Sequence, residues 1–375
     1  MIHKEIVIVG GGPVGLSLAL EIANQNKKVL LIDKSLSARD VDGRVLALSY
    51  ASYLILNRLN AWSTNATAID SVQISHTGLG ISNINAHELN IYHLGYTIEY
   101  SELCSKLIEQ VKYHPQIEIL ECHVLNVQDG QNFATIEYLS QESKSEIMTA
   151  NLVVMAEGGK LLADENKKIN HDYEQQAIVA HIKTKHHSQN IAYERFAESG
   201  PLVLLPFKDH YVMVWSMKNE LAEQVKQDIT LLVSKLNQEF TIRLGGAQLI
   251  SKVSSFPLKL AQVKERFRRK VILIGNSAQT VHPVSAQGLN LGLRDVVMLS
   301  QLLAKSQQVD FTQLALFDNL RNKDANAVIG FTHFLATFLE RQGSAFNHLR
   351  GAGLIALSNL PFAQKFIAKS LIFGV

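Results

Sequence analysis

Near its start the chain reads Glu5-Ile6-Val7-Ile8-Val9, and Gly10-Gly11-Gly12-Pro13-Val14-Gly15 follows directly. The β-branched run predicts a strand that is buried on both faces. Apolar residues from Leu16 to Asn24 have helical spacing, and a second strand is predicted from Val29 to Ile32, ending in Asp33. A strand, a glycine-rich turn, a helix and a second strand in this order predict a dinucleotide-binding unit.

The glycines Gly10, Gly12 and Gly15 form the pattern G-x-G-x-x-G. The first permits a tight turn, the second lets a pyrophosphate approach the backbone, and the third allows close packing of helix on strand. The amino terminus of the helix then faces the phosphate charge. Asp33 stands 18 residues beyond Gly15 and can accept hydrogen bonds from ribose hydroxyls. The motif predicts an adenine dinucleotide and does not distinguish FAD from NAD.

A second stretch, from Ile274 to Asp295, reads IGNSAQTVHPVSAQGLNLGLRD. A predicted strand ends at Gly275, and a turn rich in Pro, Gln, Gly and Asn precedes a helix from about residue 288. Such a turn exposes backbone donors that a flavin ring or a ribityl chain can use. The stretch therefore favours a flavin as the resident cofactor.

The composition argues against several classes of function. Of the 375 residues, 47% are hydrophobic and 19% are charged, which is ample for a sizeable core and unlike a disordered chain. The net charge of +2 and the lack of an arginine-rich arm argue against nucleic acid as a partner. Cys104 and Cys122 are the only cysteines, and they fit a reducing compartment. His186 and His187 are interpreted as part of a solvated loop, so no metal site is predicted.

The sequence predicts a cytoplasmic protein that is soluble or peripheral at the inner face of the membrane. The apolar run in the first 20 residues is split by glycines and lacks the basic start of a signal peptide. No stretch reaches the roughly 18 uninterrupted apolar residues of a spanning helix. The apolar tail, with Phe331 and Phe334 at helical spacing and Phe366 and Phe373 further on, favours either core packing or contact with a membrane or partner.

The rest of the pattern predicts one discontinuous nucleotide-binding domain with a second, sheet-rich domain inserted. Residues 40–60 are predicted to be helical, with Leu54, Leu56 and Leu59 as core candidates. Helices are also predicted over 101–113 and near 220–238, and short strands over 70–97, 117–155 and 171–260. The nucleotide-binding domain is assigned to 1–70, 98–170 and 262–330, the substrate domain to 71–97 and 171–261, and a helical C-terminal region to 331–375.

These motifs resemble those of the flavoprotein aromatic hydroxylases with the para-hydroxybenzoate hydroxylase fold, and specifically their ubiquinone-biosynthesis branch. Asp42-Gly43-Arg44 with Ala47-Leu48-Ser49 matches the D-G-R-x-x-A-L stretch of that branch. Ala192 to Phe196, with the segment from Gly200 to Pro206, resembles the part that lines the substrate face of the flavin ring. The resemblance implies an α/β fold with a Rossmann-like FAD-binding domain, an inserted sheet-rich substrate domain and a helical C-terminal region.

The resemblance implies an FAD-dependent monooxygenase that hydroxylates the aromatic ring of a polyprenyl phenol. In such enzymes NAD(P)H binds transiently and reduces the FAD, and O2 then gives a hydroperoxyflavin whose distal oxygen attacks the ring. A peripheral membrane contact or a place in a ubiquinone-biosynthesis complex is implied as well.

The same resemblance implies the residues of the site. The cofactor-binding residues would be Gly10, Gly12, Pro13, Val14, Gly15, Asp33, Lys34, Arg44, Val124, Glu157, Gly158, Gly275, Asn276, Pro283, Ala286, Gln287, Gly288, Leu289 and Asn290. The substrate-facing residues would be Phe196, Pro201, Leu205 and Pro206. His282 and Tyr193 are candidates for proton handling, with a structural role as the alternative for each.

The chain departs from the family pattern at four places, one of which is the lack of a basic residue around Tyr100 and Ser101. Asn276 stands where most members have Asp, and Ala286 replaces a glycine. Residues 156–160 read AEGGK and lack the Ser and Arg of the motif A-D-G-x-x-S-x-x-R, which serves flavin and NAD(P)H binding, so the reductant is left open. The alternatives are a prenyl-lipid reductase, a hydroxylase of another aromatic, or a non-catalytic prenyl-binding module. Oxygen incorporation and retained flavin discriminate among them.

Overall fold

The computed structural model of the protein describes residues 2–36, 43–76, 80–140, 142–159, 161, 167–282, 286–305, 311–340, 353 and 359–374. Within these ranges the side chains of residues 241–243, 311 and 335–340 are not described. Asp42 and the predicted cofactor residue Pro283 lie outside the described residues.

The described chain alternates strands and helices. The strands are β1 (Ile2–Val9), β2 (Val29–Asp33), β3 (Val45–Ser49), β4 (Thr67–Ile69), β5 (Ser71–His76), β6 (Ile81–Asn85), β7 (Gly95–Glu99), β8 (Ile117–Glu121), β9 (His123–Gln128), β10 (Ala134–Leu139), β11 (Ser145–Met155), β12 (Lys167–Thr184), β13 (Ile191–Ala197), β14 (Gly200–Phe207), β15 (His210–Lys218), β16 (Ala247–Leu249), β17 (Ser254–Val263), β18 (Val271–Leu273) and β19 (Gln279–Thr280). The helices are α1 (Pro13–Ala23), α2 (Tyr50–Arg58), α3 (Tyr100–Lys112), α4 (Asn219–Gln227), α5 (Ile229–Leu244), α6 (Gln287–Ala304), α7 (Phe311–Glu340) and α8 (Pro361–Phe373). Short 3₁₀ helices span Ala86–Leu89 and Gly275–Ser277.

The first sheet brings the glycine-rich turn and Asp33 to one edge. Its strand order is β8-β2-β1-β11-β10-β9, with β18 beside β11, and β1 is parallel to both β2 and β11. The carboxyl ends of parallel strands meet at the same edge of a sheet, which is where such folds bind ligands. The N–H of Gly10 donates to the Ile32 carbonyl at 2.8 Å, and the N–H of Ala156 to the Val9 carbonyl at 2.8 Å. These bonds hold the three strand ends together.

Helices cover one face of this sheet and form the largest core. Ile6 and Ile8 of β1 belong to one apolar cluster with Leu16 and Ile22 of α1, and Leu107 of α3 belongs to it too. Residues of α2, α6 and α7 belong to the same cluster. At about 25 cal/mol per Å² of buried apolar surface, this packing is the main source of stability for the nucleotide-binding unit.

The second sheet is antiparallel over most of its extent and carries helices on one face. Its order is β19-β17-β12-β15-β14-β13-β5-β6, with β16 beside β12. Trp215 and Met217 of β15 pack against Leu232 and Leu236 of α5. On the opposite face lies a smaller apolar cluster, which includes Leu205. That face looks toward the first sheet's edge, and a small sheet of order β3-β7-β4 lies beside it.

The structure confirms the α/β class and most of the predicted elements. The helix predicted over 101–113 is α3, and the strands predicted over 117–155 end in the buried run of β11. The helix predicted near 220–238 is two helices, α4 and α5. Lys167 to Asn170 and the strand β19 belong to the second sheet although they fall in segments assigned to the nucleotide-binding domain. The domain boundaries stay a prediction.

The helical prediction over residues 40–60 is wrong in its first half. Val45–Ser49 forms β3, which pairs antiparallel with β7, and the helix begins only at Tyr50. From that start the buried side of α2 contains Ser52, Ile55 and Leu56. Leu54 therefore points outward and is 45% exposed, whereas Leu56 and Leu59 are buried as predicted.

Candidate active site

The turn after β1 requires glycine at the first and third positions of the motif. Gly10 has a φ of +115°, and a Cβ there would lie 2.5 Å from the Ala156 carbonyl oxygen. A Cβ on Gly15 would lie 1.9 Å from the Gly10 carbonyl oxygen. Pro13 occupies the first turn of α1, where its missing N–H leaves no hydrogen bond unmade. The amino terminus of α1 is thus brought close to the strand ends, as phosphate binding requires.

Asp33 is buried at the end of β2 and is bonded to the backbone of this turn. Its Oδ2 accepts a hydrogen bond from the Gly11 N–H at 2.6 Å, and its Oδ1 accepts one from the Ser35 N–H at 3.0 Å. A carboxylate oxygen can accept more than one hydrogen bond, so Asp33 can still receive a ribose hydroxyl. The residue both fixes the turn and presents an acceptor.

A polar cleft of about 570 Å³ runs along this edge of the first sheet. Many of the predicted cofactor residues line it, namely Gly10, Gly12, Pro13, Val14, Asp33, Lys34, Arg44, Val124, Glu157, Gly158, Asn276, Gly288 and Leu289. The guanidinium carbon of Arg44 lies 4.9 Å from the centre of the Tyr100 ring. The N–H of Tyr100 also donates to the Arg44 carbonyl at 2.7 Å. These contacts place a cation in the wall of the cleft, where it suits a diphosphate.

Ser277 joins the two sides of the cleft and was not identified from the sequence. Its Oγ accepts the N–H groups of Gly158 at 3.0 Å and Gly159 at 3.2 Å. The same hydroxyl donates to Glu157 Oε1 at 3.1 Å. The loop after β11 is therefore tied to the 3₁₀ helix Gly275–Ser277, which carries Asn276 into the cleft wall.

An apolar cavity of about 440 Å³ adjoins the polar cleft. The two share the wall residues Leu46, Asn276, Gly288 and Leu289. The predicted cofactor residues Ala286, Gln287 and Asn290 also line the apolar cavity. Its other walls come from β3, the faces of β5, β13 and β14, and α8. The cavity thus lies where the first sheet's edge meets the second sheet.

Asn290 fixes the wall between the two spaces. Its Oδ1 accepts the Ser49 N–H at 2.9 Å and the Ser52 hydroxyl at 2.7 Å. Its Nδ2 donates to the Ala286 carbonyl at 2.8 Å. Ala286 directly precedes α6 and has a φ of +51°, in the left-handed region. Glycine adopts this conformation without strain, which explains why glycine is usual at this position. The amide therefore holds β3 and α2 against the start of α6.

Gly275 does not line either space, and its role is to anchor the loop. Its N–H donates to Asp295 Oδ2 at 2.9 Å, and its φ is +57°. Asp295 is fully buried and also pairs with Arg321 at 2.6 Å and with Arg266 at 3.5 Å. Burial opposes ionisation of Asp295, but the two arginines outweigh it and hold the pKa of this carboxyl below its usual value. Asp295 thus holds the start of the loop after β18, at Gly275, from the side away from the cleft.

Of the four residues predicted to face the substrate, one lines the apolar cavity. Leu205 lines the apolar cavity, whereas Phe196, Pro201 and Pro206 are not among its lining residues. Tyr193 lines it in part, while its ring packs edge-on against Tyr211 and Phe240 at 5.9 and 6.1 Å.

The other candidate for proton handling, His282, is fully buried outside the lining of either space. Its ring packs edge-on against Tyr173 at 4.8 Å between centres. Burial, with a smaller contribution from His333, lowers the pKa of His282 to about 4, so the imidazole is neutral near pH 7. Glu194, which the sequence did not single out, does line the cavity.

The cleft fits the adenosine and diphosphate parts of FAD. It offers a glycine-rich turn at Gly10 to Gly15 with no room for a Cβ, the carboxylate of Asp33 at the end of β2, and the cation of Arg44 in its wall. The adjoining apolar cavity fits an aromatic substrate beside such a cofactor. Fold and site together define a flavin-dependent aromatic monooxygenase. The chain belongs to the FAD binding domain family, whose model matches residues 3–309.

Relatives of similar sequence are named as ubiquinone hydroxylases. The ubiquinone hydroxylase UbiM of Neisseria meningitidis is 28% identical over 394 residues, which cover 99% of this chain and 85% of that protein. The 3-demethoxyubiquinol 3-hydroxylase of Escherichia coli is 26% identical over 325 residues, which cover 81% of this chain and 80% of that protein.

Solved structures of the same fold include two bacterial monooxygenases. p-Nitrophenol 4-monooxygenase PnpA from Pseudomonas putida superposes with a TM-score of 0.80 at 15% identity, covering 99% of this chain and 98% of that one. PqsL, a probable FAD-dependent monooxygenase from Pseudomonas aeruginosa, gives 0.78 at 18% identity, covering 94% and 100%. At these identities the likeness shows the fold.

Proposed function

We propose that this chain hydroxylates the ring of a polyprenyl phenol in ubiquinone biosynthesis, with a substrate of the 2-octaprenyl-6-methoxyphenol type, O2 as oxygen source and NAD(P)H as reductant. The observation that carries the proposal is the aliphatic cavity beside the cofactor cleft. Among its described lining residues, Tyr193 and Glu194 alone have ionisable side chains. A phenol ring with an alkyl tail suits such a space, and the names of the relatives support the pathway.

In this proposal, separate groups of residues bind the cofactor and surround the substrate. When bound, reduced FAD supplies the activation of O2, of which one atom enters the ring and the other leaves as water. The glycine-rich turn and Asp33 bind the cofactor, and Asn276 with Gly288 lies at the junction of cleft and cavity. Val203, Leu205 and other aliphatic side chains line the cavity and would help a bound substrate to exclude water from it. Exclusion of water strengthens every electrostatic interaction with the substrate and limits side reactions.

The proposal is tested by the quinone lipids of cells that lack the gene. We expect a polyprenyl phenol one oxygen short of the normal intermediate to accumulate, and the intact gene on a plasmid to clear it, whereas an empty plasmid does not. Purified FAD-loaded protein given ¹⁸O2 should add one labelled oxygen to a short-chain 2-prenyl-6-methoxyphenol. An unchanged quinone pool together with no labelled product would contradict the proposed function.

We also propose that α8 rests on a membrane surface, from which a polyprenyl substrate can enter the cavity. Its inner face, with Leu371 and Ile372, lines the apolar cavity. Its outer face exposes three phenylalanines and two lysines, namely Phe362, Phe366, Phe373, Lys365 and Lys369. Aromatic and lysine side chains on one helix face suit an interface with anionic lipid. Among the described residues, no helix is long and apolar enough to cross a membrane.

Replacement of Phe362 and Phe366 by serine should weaken membrane binding about tenfold, because each ring loses apolar contact with the acyl boundary. The measurement is cosedimentation with vesicles that contain phosphatidylglycerol. Tyr113→Ser is the matched control, because Tyr113 and Phe362 are both 85% exposed but Tyr113 lies at the end of α3, outside α8. Equal cosedimentation of the double variant and the control would contradict the proposed role of α8.

A further inference from the structure

Glu194 lies in the middle of the wall that faces the apolar cavity. It belongs to β13, where it is opposite Val203 of β14 and opposite Ile74 of β5, and both of these neighbours line the cavity. The next residues along the strand point the other way, because Tyr193 packs in the cluster under α5 and Arg195 pairs with Glu239 of α5 at 2.6 Å. The carboxyl of Glu194 is therefore directed toward the cavity side of the sheet.

The surroundings of this carboxyl are aliphatic. Among the described lining residues of the cavity, no other carboxyl group, lysine, arginine or histidine is present. The elements that line the cavity carry further titratable groups, namely Tyr193 and Arg195 on β13, His76 on β5, Tyr96 and Glu99 on β7, His210, Tyr211 and Lys218 on β15, Arg294 and Asp295 on α6, and the exposed Lys365 and Lys369 on α8. Loss of hydration on burial raises the pKa of Glu194 to about 7. The group thus changes charge close to neutral pH.

Such a carboxylate has a clear use in a cavity that takes a phenol. We propose that the Glu194 carboxylate accepts the hydroxyl proton of the phenolic substrate while the ring takes up oxygen. This makes Glu194 a catalytic residue, and the inference rests on the proposed function. A base whose pKa is near the working pH is suited to this transfer.

The proton transfer balances as follows. The O–H bond of the substrate breaks, its proton goes to an oxygen of Glu194, and its electron pair forms a ring carbonyl. The ring carbon at the position attacked uses its own electron pair to bond the oxygen atom that O2 and the reduced cofactor supply. The proton on that carbon then passes to water and its bonding pair restores the aromatic ring, while Glu194 returns its proton to the former carbonyl oxygen. The second oxygen atom of O2 leaves as water.

Binding tests the inference without any turnover. The probes are a short-chain 2-prenyl-6-methoxyphenol and its O-methyl ether, titrated anaerobically into the oxidised FAD-loaded protein at pH 6 and pH 8. In the wild type, preference for the phenol over the ether should rise about tenfold between pH 6 and pH 8, because a charged acceptor binds the hydroxyl more strongly than a neutral one. Glu194→Gln should show no such rise. Glu198→Gln, an exposed glutamate just after β13, should behave like the wild type.

Turnover gives the second readout. Hydroxylation by the wild type should increase with pH through about 7, since the proton acceptor is the carboxylate. Glu194→Gln should lose this pH dependence and hydroxylate about a hundredfold more slowly. If the wild type neither binds nor hydroxylates the phenol, the proposed function and this inference both fail. If it does both, and Glu194→Gln matches it at every pH, the inference alone is overturned.

Discussion

The variant Gly288→Leu is expected to be a folded protein that does not retain FAD. Gly288 lies in the first turn of α6 and lines both the polar cleft and the apolar cavity. A Cβ at this position would meet no heavy atom of the protein within 4 Å. The added side chain would therefore extend into the junction of the polar cleft and the apolar cavity. The fold loses nothing, because leucine is a better helix former than glycine by up to about 1 kcal/mol.

A cofactor bound as proposed, at the junction of cleft and cavity, has to share that space with the leucine side chain. We expect FAD affinity to fall about a thousandfold, which corresponds to about 4 kcal/mol. Flavin absorbance per mole of purified protein and a titration of the apoprotein with FAD measure the loss. Thermal unfolding of the two apoproteins should give midpoints that differ little.

Gly330→Leu is the matched control for this substitution. Gly330 is also a helical glycine whose Cβ would meet nothing within 4 Å, but it is exposed on α7 and lines neither space. This variant should retain FAD like the wild type. Full flavin content in Gly288→Leu would show that the cofactor does not occupy the junction of cleft and cavity.

Most of the lining of the polar cleft was predictable from the sequence because its determinants are local in the chain. The turn from Gly10 to Gly15 needs glycine for reasons of backbone contact alone, and these contacts arise within one strand, one turn and one helix. The position of Asp33 was predictable because one helix connects β1 to the adjacent parallel strand β2, which ends at Asp33. The stretch around Asn276 and Gly288 was recognised by its turn chemistry, and both residues line the cleft.

The apolar cavity could not be predicted in the same way, because its walls come from distant segments. Val45, Ile74, Leu205 and Ile372 belong to four elements that meet only in the folded chain. Glu194 was not singled out for a related reason, although it belongs to the segment from Ala192 to Phe196 that was expected at the substrate face. A charged residue in a strand normally indicates the solvent side, but both faces of β13 are covered, one by α5 and the other by the cavity walls.

A buried group of ion pairs next to Gly275 could not be predicted from the sequence either. Asp295 of α6 has no exposed surface and pairs with Arg321 of α7 at 2.6 Å and with Arg266 at 3.5 Å. The carboxylate of Asp324 accepts hydrogen bonds from the guanidinium groups of Arg321 at 2.6 Å and Arg294 at 2.8 Å. Buried ions are stable only when paired, so removal of one partner leaves the others with an uncompensated charge. The residues involved are up to 58 positions apart, and only the packing of α6 on α7 shows their relation.

Asp295→Asn should therefore lower the free energy of unfolding by about 3–5 kcal/mol. The amide keeps the size of the side chain and can still accept the Gly275 N–H, so the loss reports on charge. Urea denaturation of the apoprotein measures it, with the midpoint compared between wild type and variant. Asp172→Asn is the control, because the pair of Asp172 with Lys259 is exposed and should contribute little to the midpoint. The asparagine can still accept the Glu174 N–H that the Asp172 carboxylate accepts at 2.9 Å.

The pH dependence separates the charge of Asp295 from a simple packing defect. The arginines hold the folded-state pKa of this carboxyl below its usual value, so its contribution to stability is fully present above the unfolded-state pKa of about 3.9. That contribution is lost as the pH falls through the folded-state pKa, because the folded protein then also binds the proton. The difference between wild type and Asp295→Asn should be nearly constant from pH 5 to pH 8, because over this range the carboxyl is ionised in both the folded and the unfolded chain. Below about pH 4 the difference should shrink. A difference that stays constant down to the lowest pH at which the protein folds would assign the effect to packing and contradict the role of the buried charge.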